Sequence, residues 1–194
     1  MRHFSEISQT AERVIDVTEG LVQQYGYNGF SYDDVARLVG IKKPSVHHHF
    51  KKKEELVAVV VQRYTHRFCA ALLGIEGQSA SPTDRLIAYA ARFEQTFANN
   101  RRLCICAMLG AEFDTLPQVV ADEVERFFKV NLDWLTPVFE SGQRAALITS
   151  KQPAEALAEA FLCVLEGAMV VGRGMPSASG PSVLGRSFLS TLLT

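Results

Sequence analysis

The residues best placed for chemistry are basic side chains and histidines between positions 37 and 53. This window holds six lysines or arginines, three consecutive histidines and no carboxylate. Such side chains bind phosphate, because cationic N–H groups donate charge-assisted hydrogen bonds to its oxygens. They are Arg37, Lys42, Lys43, His47, His48, His49, Lys51, Lys52 and Lys53. The window predicts a phosphate-binding surface, and the alternative on charge alone is a solvated basic surface that binds nothing.

The run His47 to His49 raises the question of a metal site. Successive residues of a helix point about 100° apart, so three in a row cannot converge on one ion. Helical zinc ligands are instead spaced at i and i+4. We therefore expect no metal here and no cofactor, and we expect His49 to pack against the first helix and Phe50 to lie in the core.

Two of the four cysteines, Cys104 and Cys106, form a C-x-C pair. As metal ligands they lack partners, because the other two cysteines are isolated and no histidine follows residue 66. Cysteine is also among the most buried residue types, so both side chains are interpreted first as small core residues.

Composition excludes several classes of protein. The 194 residues carry 20 Lys plus Arg against 21 Asp plus Glu, and 47 % are hydrophobic, which is typical of a globular chain and not of a polycation. No segment approaches the ~20 apolar residues that a membrane span needs. Residues 1–25 lack the apolar region of a signal peptide. We expect a cytoplasmic protein with reduced thiols and no membrane partner.

The hydrophobic pattern is helical almost throughout, with no segment of strand periodicity. A first helix spans residues 8–25 and ends at Gly26. Ser31 and Asp34 have the spacing of a capping box and open a second short helix that ends at Gly40. Pro44 is suited to the first turn of a third helix that ends at Phe50. A helix, a tight glycine turn and a second helix give the spacing of a helix-turn-helix.

Further helices are predicted downstream, with Pro137 expected to kink the long one near Asp133 or Trp134. They cover residues 53–73, 82–98, 102–113, 117–139, 153–171 and 181–193, with loops at 74–81 and 172–181. The helix at 153–171 is apolar around most of its circumference, so it must be covered on two sides. A second copy of the chain is the expected cover.

The run from Thr10 to Leu56 resembles the N-terminal domain of the TetR family of bacterial transcriptional repressors. The matching segments are Gly26-Tyr-Asn-Gly-Phe-Ser31, Val35-Ala36, Val39-Gly40-Ile41, Lys43, His48-His49-Phe50 and Lys53-Glu54. The resemblance implies an all-α protein of about nine helices. It also implies a helix-turn-helix DNA-binding domain at 1–52 and an effector-binding and dimerisation domain at 53–194. His47 departs from the family, which usually has tyrosine there, but its imidazole N–H could also donate to phosphate.

The expected partners are double-stranded operator DNA, a small-molecule effector of unknown identity and a second copy of the chain. The predicted DNA contacts are Ser31, Tyr32, Lys42, Lys43, Ser45, His47, His48, Lys51 and Lys53. The predicted effector or redox residues are Phe93, Phe97, Cys104, Cys106, Met108 and Trp134. The predicted dimer interface comprises Leu157, Phe161, Val164, Leu165, Ala168, Phe188 and Leu192.

The segment 103–112 is also similar to that of a TetR branch that senses electrophiles and oxidants. In that branch a reactive cysteine lies eight residues before an Ala-Glu pair, and Cys104 is the matching residue. Its sulfur would be activated if Arg101, Arg102 or a helix N-terminus faced it. A reactive sensor and a buried core residue both stay open for Cys104.

Two other function classes compete with a transcriptional regulator. An enzyme is disfavoured because the chain has no P-loop, G-x-G-x-x-G, H-E-x-x-H or G-x-S-x-G pattern and no histidine base after residue 66. A pure dimerisation module would explain the apolar helix at 153–171 but would leave the basic helix-turn-helix without a role. We therefore predict a repressor that a ligand or a cysteine modification releases from its operator.

Overall fold

The computed structural model describes residues 8–176 and 178–193, and within these ranges the chain folds into nine α-helices and one short 3-10 helix. The α-helices are α1 (Gln9–Tyr25), α2 (Tyr32–Val39), α3 (Lys43–His49), α4 (Lys53–Gln78), α5 (Pro82–Ala98), α6 (Ile105–Gly110), α7 (Gln118–Arg144), α8 (Ala154–Gly174) and α9 (Pro181–Ser190). The 3-10 helix is Phe113–Thr115. This confirms the predicted all-α fold.

The contacts divide the chain into two compact units. The first holds the residues up to Arg67 together with Ile105–Phe127, and the second holds Phe68–Cys104 and the residues from Phe128 onward. This division differs from the predicted boundary between residues 52 and 53. The first half of α4 belongs with α1 to α3, because Leu56 to Val61 are fully or almost fully buried.

The first three helices begin and end at the local signals that the sequence carries. The Ser8 hydroxyl accepts a hydrogen bond from the N–H of Ala11 and caps α1. Ser31 and Asp34 form both hydrogen bonds of a capping box at α2. Gly40 follows α2 in the left-handed conformation, at φ +76°, which glycine adopts at little cost.

The structure corrects several predicted boundaries downstream. Gly74 does not end α4, which continues to Gln78, so the predicted loop at 74–81 shrinks to residues 79–81. Leu72 and Ile75 are buried on either side of Gly74, and their packing keeps the helix intact there. In the same way, α8 continues past Val171 to Gly174.

The sixth helix is shorter than the predicted 102–113. Asn100 and Arg101 have positive φ values of 54° and 55° and form a turn after α5, and residues 102–104 are not helical, so α6 begins only at Ile105. Two other elements also differ from their predicted limits. Helix α9 ends at Ser190 and is followed by an isolated bridge between Ile148 and Leu193. Helix α7 contains Pro137 and continues past its predicted end at residue 139 to Arg144.

Aromatic side chains form the core of the second unit around Tyr89 of α5. The ring of Tyr89 stacks on Trp134 at 5.5 Å and contacts Phe93 at 5.3 Å and Phe161 at 6.0 Å. Gly185 lets α9 approach this core closely, because a Cβ there would lie 2.9 Å from a methyl group of Leu165. Aromatic pairs of this geometry each contribute about 0.5–1.5 kcal/mol beyond the area that they bury.

Candidate nucleic-acid interface

Helix α3 is anchored by buried groups that leave its other side exposed. Val46 is completely buried, and the Tyr32 hydroxyl of α2 donates a 3.0 Å hydrogen bond to the carbonyl of Phe50 just after α3. The ring of His47 packs edge-on against Tyr32, with centroids 4.6 Å apart. These contacts fix how α3 is rotated about its axis, and they determine which of its side chains face solvent.

The exposed side of α3 and its flanks is basic and polar. Lys42, His47, His48 and Lys51 are exposed, and Ser45 is half-buried. Lys43 is exposed as well, but its ammonium pairs with the Asp33 carboxylate at 2.7 Å. An exposed pair of this kind contributes about 0–1 kcal/mol, so phosphate can compete for the lysine. Six of the nine predicted DNA contacts are therefore exposed or half-buried on α3 and its flanks. The other three are described next.

Tyr32 is not a surface residue, which corrects its prediction as a DNA contact. Its side chain is buried, and its hydroxyl proton is used in the bond to Phe50. Burial, followed by the charge of Glu55, raises the pKa of Tyr32. Tyr32 therefore joins α2 to the end of α3 and positions the recognition surface without belonging to it.

Ser31 is exposed, but its hydroxyl works within the capping box. It donates to the Asp34 carboxylate at 2.7 Å and accepts from the Asp34 N–H. This hydrogen bond, together with a second one from Arg37, lowers the pKa of Asp34 to about 2. The hydroxyl proton of Ser31 is therefore not available to a phosphate while the box is formed.

Lys53 also differs from its predicted role as a contact to the DNA backbone. Its ammonium donates to the carbonyl of Phe30 and lies over the rings of Phe30, at 4.1 Å, and Tyr27, at 4.8 Å. Burial lowers the pKa of Lys53, and the charge of Glu112 opposes that shift. The lysine joins the start of α4 to the turn between α1 and α2, so its cation is engaged inside the first unit.

Glu112 also contacts the turn between α1 and α2, and no sequence pattern indicated this role. Its carboxylate accepts hydrogen bonds from the N–H groups of Tyr27 and Asn28, and the Asn28 amide also donates to Thr115 at 3.1 Å. Gly26 has φ +74°, and a Cβ there would lie 2.6 Å from a Glu112 oxygen. No local signal predicts these contacts, because about 85 residues of chain separate the partners.

Comparison with known proteins identifies the family. Residues 14–60 match the profile described as "Bacterial regulatory proteins, tetR family". Over 95 % of its length the chain is similar to a TetR-family transcriptional regulator from Agrobacterium tumefaciens, with 32 % identity, 98 % of that chain covered and a TM-score of 0.91. The chain belongs to the TetR family. It is accordingly a DNA-binding transcriptional regulator.

Two curated relatives are regulators as well. One is the biofilm operon icaADBC negative transcriptional regulator IcaR of Staphylococcus epidermidis, 34 % identical over 62 residues. That match covers 32 % of this chain and 34 % of IcaR, so it spans about a third of each protein. The other is the transcriptional repressor DhaR of Mycobacterium sp., 25 % identical over 149 residues, or 75 % of this chain and 73 % of DhaR.

The predicted effector residues of this TetR-family protein fall into both units. Phe93, Phe97, Cys104 and Trp134 belong to the second unit, whereas Cys106 and Met108 lie on α6 in the first. The structure therefore does not gather the six in one unit.

Cys104, the predicted redox residue, is only 1 % exposed. Arg101, one of the groups predicted to activate it, donates instead to the carbonyls of Gly172 and Pro176 at the end of α8. This use of Arg101 satisfies carbonyl groups that a helix end leaves without partners. The guanidinium of Arg101 is therefore engaged at α8.

Most residues of the predicted dimer interface are not on the surface of the single chain. Leu157, Phe161, Leu165, Ala168 and Leu192 are all buried within their own unit, so other side chains form the exposed surface of α8 and α9. Periodicity predicted an apolar helix correctly, but it could not say which side faces inward. The large apolar side chains that α8 and α9 expose are Val170, Val171, Val183 and Leu184. Val164 and Phe188 are half-buried.

Among the residues that the structure describes, no group of three or more His, Cys, Asp and Glu side chains is arranged to hold a metal ion. Within residues 8–176 and 178–193, no helix has the length and apolar character to cross a membrane.

Proposed function

We propose that this TetR-family protein is a dimeric repressor that binds operator DNA through α3 and is released by a small-molecule effector bound in its C-terminal region. The observation that carries the proposal is the exposed surface of α3, where cationic and polar side chains surround a buried anchor at Val46. Because operator DNA lies in the bacterial cytoplasm, we also place the protein there.

In this proposal α3 enters the major groove. Ser45, His47 and His48 face the base edges, and Lys42 and Lys51 on either side of α3 contact phosphates. Phosphate contacts fix the register of the protein on DNA, whereas contacts to base edges select the sequence. Both kinds of group are present on this surface, which supports selective binding.

The dimer supplies two copies of α3. The exposed valines of α8 and the exposed Val183 and Leu184 of α9 form an apolar surface that water solvates poorly. Pairing of two such surfaces about a twofold axis would present the recognition helices to half-sites about 34–36 Å apart. An effector acts by favouring a spacing that no longer fits, and typical coupling free energies are about 1–3 kcal/mol.

Repression is favoured over activation because both curated relatives are named as negative regulators or repressors. A bound ligand is favoured over modification of Cys104, since that thiol is buried and Arg101 is engaged at α8. The replacement Cys104→Ser separates the two routes: a ligand-released repressor keeps its response to inducer, whereas a thiol sensor loses it.

The direct test is binding to the region upstream of the protein's own gene, by footprinting and by fluorescence anisotropy at several salt concentrations. Lys42→Ala with Lys51→Ala should weaken binding about tenfold, equivalent to about 1.4 kcal/mol. The salt slope should fall by about 0.9 for each phosphate contact that is lost. Lys151→Ala, which removes an exposed lysine of the second unit, is the matched control. Binding that is insensitive to salt and equal in all variants would contradict the proposal.

A further inference from the structure

A buried carboxyl group in the second unit has no evident structural use. Glu166 projects from α8, and both its carboxyl oxygens are buried without a hydrogen bond from a nitrogen or oxygen donor. A buried acidic group normally has such partners, because removing it from water is costly. The Cys104 thiol lies within hydrogen-bonding reach of Glu166, but a thiol is a weak partner, so the burial of this carboxyl group still requires an explanation.

The Glu166 carboxyl group interacts with two thiols and a phenol. Burial is the main cause that raises its pKa well above the usual range, and the neighbouring thiols of Cys104 and Cys163 raise it further. The charge of Glu166 in turn raises the pKa of Tyr89. The groups named as causes of these shifts on Glu166 and Tyr89 are thiols, a carboxyl group and burial, and none of them is basic.

A second buried polar atom without a partner lies on the aromatic core beside this carboxyl group. The indole Nε1 of Trp134, on α7, is buried and donates to no acceptor, while its ring stacks on Tyr89 at 5.5 Å with the planes 14° apart. Tyr89 itself donates a 2.5 Å hydrogen bond to Asn131 and is thereby satisfied. The Trp134 indole N–H of α7 and the Glu166 carboxyl group of α8 thus both interact with the region around Tyr89.

From this arrangement we infer that the interior of the second unit binds an aromatic organic cation, whose ammonium group pairs with the Glu166 carboxylate beside the rings of Tyr89 and Trp134. The inference rests on the proposed function, since it names the chemical class of the effector. When the cation binds, the carboxyl group releases its proton to solvent, and the cation pairs with the resulting carboxylate and is attracted by aromatic ring faces. An anion would find no positive partner there, and a neutral ligand would need only an amide in place of the acid.

The single tryptophan makes the inference directly measurable, because Trp134 is the chain's only one. The full-length protein is titrated with matched pairs of phenylalkyl ammonium ions and phenylalkyl alcohols of one, two and four methylene groups. Tryptophan fluorescence, excited where the probes do not absorb, reports binding beside the ring of Trp134. The ammonium member of at least one pair should bind about tenfold or more tightly than its alcohol.

Two variants assign the preference to the carboxyl group. Glu166→Gln keeps the size of the side chain and should abolish the preference, lowering ammonium affinity about tenfold or more and changing alcohol affinity by less than about threefold. Glu140→Gln makes the same chemical change at an exposed position of α7 and should leave both affinities unchanged. Circular dichroism and thermal melting identify any loss of folding. If Glu166→Gln does not fold, Glu166→Asp, which retracts the carboxylate by one methylene, must reduce the ammonium preference.

The inference is overturned if no ammonium ion binds more tightly than its alcohol, or if Glu166→Gln or Glu166→Asp keeps the wild-type preference. Operator binding is measured separately with the same probes. Preferred binding of an ammonium ion that leaves the operator complex intact supports the cation site and contradicts release by that ligand. Operator release by the alcohols alone supports the repressor and overturns the cation site.

Discussion

The Glu112 carboxylate accepts a hydrogen bond from the N–H of Tyr27, about 85 residues earlier in the chain. Through this contact the segment that follows α6 holds the turn between α1 and α2. Lys53 holds the same turn from α4, through the carbonyl of Phe30. The α2–α3 pair that carries the recognition surface is thus supported by two charged side chains from distant parts of the sequence.

Replacing Glu112 by alanine should destabilise the first unit and weaken operator binding. The N–H of Tyr27 loses its acceptor, and an unpaired backbone donor of this kind costs about 1–3 kcal/mol. Glu112→Gln, which keeps an acceptor oxygen, should lose less. Urea unfolding and operator anisotropy measure both effects, with the exposed Glu125→Ala as control. Equal stability of Glu112→Ala and the control would show that the contact contributes little.

A matched pair of glycine replacements tests the geometry of the turn. Gly26→Ala places a Cβ at φ +74° and against Glu112, in a backbone region whose strain is about 1–3 kcal/mol. Gly74→Ala lies inside α4 with nothing within 4 Å of the new methyl group, so it should stabilise the helix by about 0.5–1 kcal/mol. Opposite shifts in thermal unfolding are expected, and shifts of the same sign would contradict this account.

Lys51 and Lys53 lie two positions apart in the sequence and have different expected roles. Lys51→Ala removes an exposed cation and should lower operator affinity and its salt slope without changing the midpoint of unfolding. Lys53→Ala removes the ammonium that binds Phe30 and should lower the midpoint as well. Urea titrations of both variants, alongside DNA binding, distinguish the roles. If Lys53→Ala unfolds at the same urea concentration as wild type, Lys53 does not stabilise the fold, and its prediction as a DNA contact stands.

The capping box of α2 should make stability dependent on acid pH. The Ser31 hydrogen bond and the one from Arg37 hold the folded pKa of Asp34 at about 2, against 3.8 for the free side chain. A lowered folded pKa stabilises the protein above pH 3.8, and this contribution is lost as the pH falls towards 2. Asp34→Asn should therefore differ from wild type near neutral pH and less at about pH 3. Urea unfolding at both values tests this, with exposed Asp114→Asn as control.

A charge on the exposed valines of α8 should separate the subunits. Val171 is 54 % exposed, and Val171→Arg places a cation in the proposed apolar interface, where its desolvation opposes pairing. We expect a monomer by light scattering and a large loss of operator affinity, because one half-site alone remains bound. Leu73→Arg, at a position that is 68 % exposed on α4, is the control. If Val171→Arg remains dimeric, the subunits pair through a different surface.

The sequence by itself determined the order of the helices, the capping box of α2 and the basic character of residues 37–53, because these depend on side chains within a few positions of each other. Ser31 and Asp34 are three residues apart, and their hydrogen bonds form within one turn. The resemblance to the TetR family rested on the same local spacing.

Only the tertiary structure decided which side chains face outward and which distant residues meet. Tyr32, Phe161 and Leu165 have residue types that suit a DNA contact or an interface, but packing against other helices buries them. The contact of Glu112 with Tyr27 and the burial of Glu166 have no local signal either. Periodicity shows which residues share one face of a helix. Whether that face is buried depends on what the rest of the chain packs against it.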